Sequence, residues 1–555
     1  MNRKSLLVFC LLLCCFLNQA FAQDFKFKRR WIDSVYNSLS ETERIGQLFM
    51  VAAYSGGENA NQPKIEQLVK SRQIGGVIFM QGTPEAQAKM TNKLQKMSKV
   101  KLLIGMDAEW GLGMRLTGVK NFPKQMMLGA TKDTALMYEM GSAIADQCKR
   151  LGVHVDFAPV VDVNNNPKNP VINFRSFGEH KELVASMGIA YMRGLQDKGI
   201  MACAKHFPGH GDVAVDSHLD LPVINKSKAQ LTELEFYPFQ QLIKAGVQSV
   251  MIAHLSVPAL DDTKNLPTTL SKKVVTDLLK KEMGYGGLVF TDALDMKGLT
   301  KYFPEGEADL RAFLAGNDVL LFSQNVPLAI GKIQWAVKTG KVAPEELEAR
   351  VKKILAAKYD MGLYKYYPLD EKNVTADLNS KTNELREKIS RAAVTVVKDQ
   401  AAMINKIKAG KGKVGYININ GNSTTYLDSV LQKKFPALTR SSLPAKSTSA
   451  TAKQLTDKVN DLDIVIVGVH NLTLYPGKNG AYGLDAVQIS ALQQLSQKKN
   501  VIFAVMGNAY MVKNICNAKS IVLGYEDDSY SEAAVYEVLT GTLKAKGTLP
   551  VKPCK

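Results

Sequence analysis

Ile200 to His218 reads IMACA-KHFPGHGDVAVDSH, an apolar run that breaks into fourteen residues carrying three histidines, two carboxylates, one lysine and two glycines. A short apolar run that ends in polar groups reads as a buried strand opening into a functional loop. Gly209 and Gly211 give that loop backbone angles other residues avoid and make hinge-like motion available to it. Asp216 stands two residues before His218. A carboxylate hydrogen-bonded to one ring nitrogen fixes the tautomer and raises the imidazole pKa, leaving the other nitrogen to move protons. An Asx turn beside an exposed histidine is the plain reading of a lone D-x-H, but the whole constellation favours a catalytic loop.

The strand before this loop is one beat of a longer rhythm. Between Ile45 and Gly362 short apolar runs recur at Gln47–Ala52, Gly75–Phe79, Lys101–Met106, Val153–Ala158, Met201–Ala204, Ser249–Ala253, Gly287–Phe290 and Asp318–Phe322. Amphipathic stretches lie between them, among them Ile65–Ser71, Pro84–Ser98, Thr134–Leu151, Glu182–Lys198, Leu231–Ala245 and Ser271–Met283. Eight strand–helix beats predict an α/β fold, a (β/α)8 TIM-type barrel over residues 23–362, with a doubly wound open sheet as the alternative. The polar residues favour the barrel, because they fall where strands finish: Asp107, Asp162 and Arg175, Lys205 and His206, His254, and Asp292. Barrel enzymes collect their chemistry on that carboxyl face.

Residues 363–385, with Pro368 and several turn formers, read as a linker. A helix over Glu384–Lys398 follows, then a smaller doubly wound α/β/α sandwich over 386–555. Its predicted strands are Lys413–Ile419, Asp463–Val467, Val501–Val505 and Ser520–Gly524, with helices at Thr425–Lys434 and Ala486–Gln497. It has neither a dinucleotide glycine fingerprint nor a Walker loop.

Arg3 and Lys4, the apolar Leu6–Leu17 and Ala20-Phe21-Ala22 read as a secretion signal over 1–22, cleaved before Gln23. Cys14 and Cys15 follow leucine rather than small residues, so lipid anchoring is the second reading. No later stretch has the length and purity of a transmembrane helix. An exported protein, periplasmic or secreted, is expected. Of seven cysteines, Cys148, Cys203, Cys516 and Cys554 remain after cleavage, without metal spacing and without an argued disulfide; Cys203 reads as core. The net charge of +19 is spread over many helices and loops without interleaved aromatics. It reads as a solvated surface drawn to anionic envelope polymers and not as a nucleic-acid groove.

Asp292, after the seventh strand, reads as a helix N-cap or as a nucleophile held by a rigid strand end. With Asp216/His218 as proton donor about 5 Å away, the second reading has the geometry of a retaining glycosidase, a histidine replacing the usual second carboxylate.

KHFPGHGD at 205–212, the D-S-H continuation at 216–218 and the later Thr291-Asp292-Ala293-Leu294-Asp295-Met296 resemble glycoside hydrolase family 3, in its branch of bacterial β-N-acetylglucosaminidases of cell-wall turnover. The resemblance covers the barrel and, more weakly, the second domain, where Ile389–Lys398 is similar to that domain's opening. The D-S-H sets this branch apart from the family's β-glucosidases, whose acid/base carboxylate comes from another domain. The resemblance implies Asp292 as the nucleophile of a covalent glycosyl–enzyme, and His218, oriented by Asp216, as acid/base. It implies Asp107, Arg115, Arg175, Lys205 and His206 as sugar-binding residues, no metal and no organic cofactor. His210 shapes the loop, and His254 matches a family histidine near the site. Two departures stand out. Trp110 replaces a glycine of the family's D-x-E-G-G-R and adds an apolar face for a sugar or leaving group; Ala293 replaces a common aspartate. Asp162, beside Asn164-Asn-Asn-Pro167, reads as a structural cap.

The reading is therefore a retaining, exo-acting β-N-acetylglucosaminidase acting on peptidoglycan fragments or chitooligosaccharides. Phosphorolysis is the first alternative, since a neutral imidazole repels an anionic acceptor less than a carboxylate does. A β-glucosidase or β-xylosidase comes next, and a non-catalytic carbohydrate-binding relative last.

Overall fold

A computed structural model describes residues 25–215, 220–422, 424–477 and 479–554. The eight apolar runs form eight parallel strands: β1 (Phe49–Ala53), β2 (Gly76–Phe79), β3 (Leu103–Met106), β4 (Val155–Asp156), β5 (Met201–Phe207), β6 (Ser249–Ile252), β7 (Leu288–Thr291) and β8 (Leu320–Leu321). Neighbours follow chain order, and β8 returns to β1 through Phe49↔Leu320 and Met50↔Leu321. A bridge from Phe290 to Val319 closes the ring between β7 and β8. The chain is thus a (β/α)8 barrel, and the open sheet is excluded. Helices cover the outside while side chains fill the inside, so strand residues are buried on both faces and read as unbroken apolar runs.

Packing inside the ring explains individual residues. The Phe157 and Phe290 rings meet edge to face at 5.2 Å. A Cβ on Gly105 would stand 2.7 Å from Cε2 of Phe157, so only glycine fits there on β3. Truncating Phe157 to alanine would cost about 3–5 kcal/mol. Cys203 is buried in β5 as a core residue.

Two expectations on helices change. The segment Leu231–Ala245 is two helices, Lys228–Glu233 and Phe236–Lys244, the first opened by a Ser227/Gln230 capping box. Between them Glu235 turns inward to pair with Lys226 at 2.5 Å. The helix expected over Glu384–Lys398 spans Thr382–Ala393 and gives way to a strand, β9 (Thr395–Asp399). The β-branched run Thr395-Val-Val is the physical reason, since such residues favour a pleated surface.

β9 pairs antiparallel with the edge of a second sheet. The others are β10 (Val414–Ile419), β11 (Thr439–Leu443), β12 (Ile464–Val469), β13 (Val501–Val505) and β14 (Ser520–Leu523), in the order β11-β10-β12-β13-β14-β9. The remaining pairings are parallel, and this second domain is the doubly wound sandwich. Segment 363–385 lies along the barrel: Arg150 donates to the Asp370 and Lys372 carbonyls (2.7 and 2.6 Å), and Val374 and Leu378 are buried. Cys516 and Cys554, unpaired in the sequence reading, form a disulfide with Cα atoms 5.8 Å apart.

Candidate active site

A cavity of about 360 Å³ opens at the carboxyl ends of the strands. The turn after β3 contributes Asp107, Trp110 and Arg115, and the loop after β4 contributes Arg175. Lys205 and His206 end β5, with His210 close behind, and Asp292 follows β7. Asp107, Lys205, His206 and Asp292 are positioned by strand ends, which keeps them more rigid than a loop would, whereas Arg115 and Arg175 come from the turn and loop beyond β3 and β4.

One side of the cavity is a cage of alternating charge. Lys205 Nζ lies 2.8 Å from Asp107 Oδ1 and 2.9 Å from Glu109 Oε1. Arg175 meets Glu109 with two prongs, Nη2 at 2.6 Å from Oε1 and Nε at 2.9 Å from Oε2. Arg115 donates to the second oxygen of Asp107. Burial alone would raise both carboxyls. Lys205 and Arg115 outweigh it at Asp107 and hold that group well below the usual carboxylate range. Arg175 and Lys205 do the same at Glu109, holding it at about 2. The cage therefore stays fully ionised, with Asp107 still part-exposed to a ligand.

Beside the cage, Asp162 is wholly buried and does not act as a turn cap. Its Oδ2 lies 2.8 Å from Nδ1 of His206, and its Oδ1 accepts the backbone N–H of His210 at 2.7 Å. The carboxylate thus sets the imidazole of His206, whose Nε2 lies 3.4 Å from Arg175 Nη2. Burial pushes His210 down to about 4, with His206 beside it adding to the effect, so His210 is neutral at pH 7. Gly209 (φ +126°) and Gly211 are close approaches as well as loop residues: a Cβ on Gly211 would stand 1.8 Å from the Val163 carbonyl oxygen.

Opposite the cage, Asp292 donates its N–H to the Ile252 carbonyl at 2.9 Å, and its Oδ1 accepts the Ala293 N–H at 2.8 Å. His254 is not part of the cavity lining. It is buried behind it, Nε2 donating to the Ala293 carbonyl at 2.9 Å and Nδ1 2.7 Å from Thr269 Oγ1. It props the turn that carries Asp292. Asp216 and His218 lie outside the described residues.

The second domain reaches into the site. Tyr475 lines the cavity, donates to the Val171 carbonyl at 3.2 Å and packs on Phe174 at 5.0 Å, which in turn meets Trp110 at 5.9 Å. Asn508 Nδ2 donates to Asn173 Oδ1 at 2.6 Å, and Tyr510 donates to the Asn164 carbonyl at 2.9 Å. The Pro550 carbonyl accepts the Glu179 N–H at 3.1 Å, and Gly178 is bare because a Cβ would lie 2.4 Å from that oxygen. The loop bearing Arg175 is thus gripped by the second domain at four points, Asn164, Val171, Asn173 and Glu179.

Glu109 and Asp162 as an orienting group are site residues that sequence reading did not assign, while Tyr475, which opens a second-domain loop that sequence reading brings toward the site rim, lines the cavity. Glu109 was open to discovery as the residue two places beyond Asp107 on the same turn. Among the described residues, one group has metal-ligand spacing: His470, Asp527 and Glu532 in the second domain. Both His470 nitrogens are engaged, by Asp527 Oδ1 and the Tyr416 hydroxyl, each at 2.9 Å, so it reads as a hydrogen-bonded cluster.

A barrel whose mouth holds a buried carboxylate–cation cage facing a strand-end aspartate has the layout that glycoside hydrolysis needs, and the comparisons with known proteins supply the class. Residues 41–357 match the glycosyl hydrolase family 3 N-terminal domain, and the chain belongs to that family. It is 28% identical to β-hexosaminidase A of Pseudoalteromonas piscicida over 88% of this chain and 91% of that one. It is 29% identical to a β-N-acetylglucosaminidase/β-glucosidase of Cellulomonas fimi over 67% of each chain. The solved family 3 β-N-acetylglucosaminidase of a Paenibacillus species superposes with a TM-score of 0.75 at 29% identity, over 93% of this chain and 99% of that one.

Proposed function

We propose that this glycoside hydrolase is a retaining, exo-acting β-N-acetylglucosaminidase that removes terminal N-acetylglucosamine from peptidoglycan fragments or chitooligosaccharides. The observation that carries the reading is Asp292, held by its backbone at the end of β7 and facing the cage across a cavity of single-sugar size. Asp107, Arg115, Arg175, Lys205 and His206 hold the sugar hydroxyls, and Trp110 offers a ring face. Asp292 attacks the anomeric carbon and forms the glycosyl–enzyme; His218, oriented by Asp216, protonates the leaving oxygen and then activates the acceptor. The choice of acetamido sugar draws on the D-S-H sequence and on relatives named β-hexosaminidase and β-N-acetylglucosaminidase. Export is part of the same proposal, supported by the A-x-A site after an apolar stretch and by the Cys516–Cys554 disulfide, which suits an oxidising compartment.

The test is nitrophenol release from the aryl β-N-acetylglucosaminide and the matching β-glucoside, in wild type and Asp292→Ala. Strong activity on the acetamido sugar, lost in the variant, is expected. Preference for the glucoside overturns the sugar assignment, and retained activity in the variant overturns the nucleophile. Running the assay with inorganic phosphate, and looking for the sugar 1-phosphate, separates hydrolysis from phosphorolysis.

A further inference from the structure

The pole of the barrel opposite the mouth carries the most exposed large apolar side chains among the described residues. Phe25 and Tyr367 are 68% and 67% exposed, with Phe27 at 52% and Tyr364 at 44%. These rings form one cluster. Phe27 meets Tyr364 edge to face at 6.1 Å, Tyr364 stacks on Tyr359 at 4.4 Å, and Tyr367 follows closely in the chain. Tyr366 and Lys358 fix its place: the Tyr366 ring lies 5.8 Å from Nζ of Lys101, at the entry to β3, and Lys358 donates to Gln47, ahead of β1, at 2.7 Å. Strand entries mark the end of the barrel away from the catalytic cavity. A lone apolar residue is ordinary on a surface, but a cluster of exposed rings marks a contact face.

Positive charge frames the rings. Residues 25–37 form a helix that opens Phe25-Lys-Phe-Lys-Arg-Arg30, with four basic residues and no acid in that stretch. Lys28 pairs with Asp360 at 2.6 Å, and Arg29 lies 4.0 Å from Asp33. Lys26 and Arg30, one helical turn apart, are exposed beside them. Lys365 is exposed too, its Nζ 5.7 Å from the Tyr367 ring. The phenylalanine rings carry no hydrogen-bonding atom, and the polar atoms around them are cations. Such a face suits phosphate headgroups above acyl chains, whereas the hydroxyls of a polysaccharide would find few partners on it. The leader points the same way, because Phe25 follows closely on Gln23, the expected start of the exported chain.

We propose that this pole is a docking face for a bilayer surface rich in anionic lipid. Phe25, Phe27, Tyr364 and Tyr367 enter the headgroup layer, and Lys26, Arg30 and Lys365 meet its phosphates. The catalytic mouth, at the other end of the strands, then faces away from the membrane and stays open to substrate. The docking stands apart from the glycosidase reading, and its test needs no turnover.

The test is co-sedimentation of the purified mature protein with vesicles of mixed phosphatidylglycerol and phosphatidylcholine, beside vesicles of phosphatidylcholine alone. Binding to the anionic vesicles is expected, about tenfold or more tighter than to the neutral ones and lost at high salt. Lys26→Gln and Arg30→Gln should each weaken it about fivefold, the worth of one basic residue at an anionic surface. Phe25→Ser combined with Tyr367→Ser, the two most exposed rings, should weaken it about tenfold. Each variant should keep the melting temperature of wild type, which shows that the loss lies in the contact and not in the fold. No binding to anionic vesicles, equal binding to neutral ones, or indifference to the substitutions overturns the proposal. Retention on purified peptidoglycan without binding to vesicles also overturns it, and gives the face to a polymer instead.

Discussion

Arg175 grips Glu109 in a two-pronged ion pair at 2.6 and 2.9 Å, with the carboxylate wholly buried. Planar recognition of this kind is specific to a guanidinium, because a lysine offers a single point charge. Arg175→Lys should therefore lower kcat/KM about a hundredfold while keeping the net charge of the cage. Glu109→Gln should do more to stability, since it leaves Arg175 and Lys205 buried with one carboxylate too few; a loss of about 3–5 kcal/mol is expected. Thermal unfolding and steady-state kinetics on the two variants check both statements. A fully active Arg175→Lys enzyme would remove the geometric role.

Asp162 separates an orienting role from a scaffolding one. In Asp162→Asn the amide oxygen still accepts the backbone N–H of His210, but the charge beside His206 is gone. The variant should keep its melting temperature within a few degrees and lose roughly tenfold in kcat/KM, mostly through KM. Asp162→Ala should also melt earlier, because it strands buried donors.

Asp156 predicts an unusual dependence of stability on pH. Burial raises its carboxyl from the ordinary 3.8 to about 7, and Asp107 and Glu109 nearby add to that. A folded-state pKa above the unfolded one means that the folded protein holds the proton longer. The stability contributed by the neutral carboxyl is full below about pH 4 and lost as pH rises through about 7. The loss is at most about 4 kcal/mol. Asp156→Asn removes this slope, so its advantage over wild type should grow between pH 5 and 8 in urea unfolding. A constant difference across that range would contradict the assignment.

Reducing the Cys516–Cys554 disulfide should weaken the second domain. The bridge spans 38 residues, and closing a loop of that length stabilises by about 3–4 kcal/mol in the chain-entropy picture. Calorimetry with and without reductant should show the melting temperature falling when the bridge is reduced. Coincident loss of activity on nitrophenyl substrates is expected, because Tyr475 and the Arg175 loop depend on that domain.

Much of the fold was legible because parallel strands buried on both faces leave unbroken apolar runs, and catalytic barrels place polar residues where those runs stop. Lys205 and His206 could be read from that rule alone. β11 was not legible: an exposed edge strand reading Thr-Arg-Ser-Ser-Leu has no apolar signature. β9 was hidden because Ile389 to Val397 continues the preceding helix in composition while changing its period. The disulfide had no spacing to betray it. Asp162 looked like a turn cap because its true partners, His206 and His210, lie more than forty residues away.

The hold of Asn508 on Asn173 crosses 335 residues of chain, and Pro550 clasps the same loop from near the very end. The barrel loop that carries Arg175 is thus held by a residue the chain supplies 335 positions later. The Arg175 loop and the second domain are in effect one mechanical unit, and a change at Asn508 or Pro550 is felt at the barrel mouth through that loop.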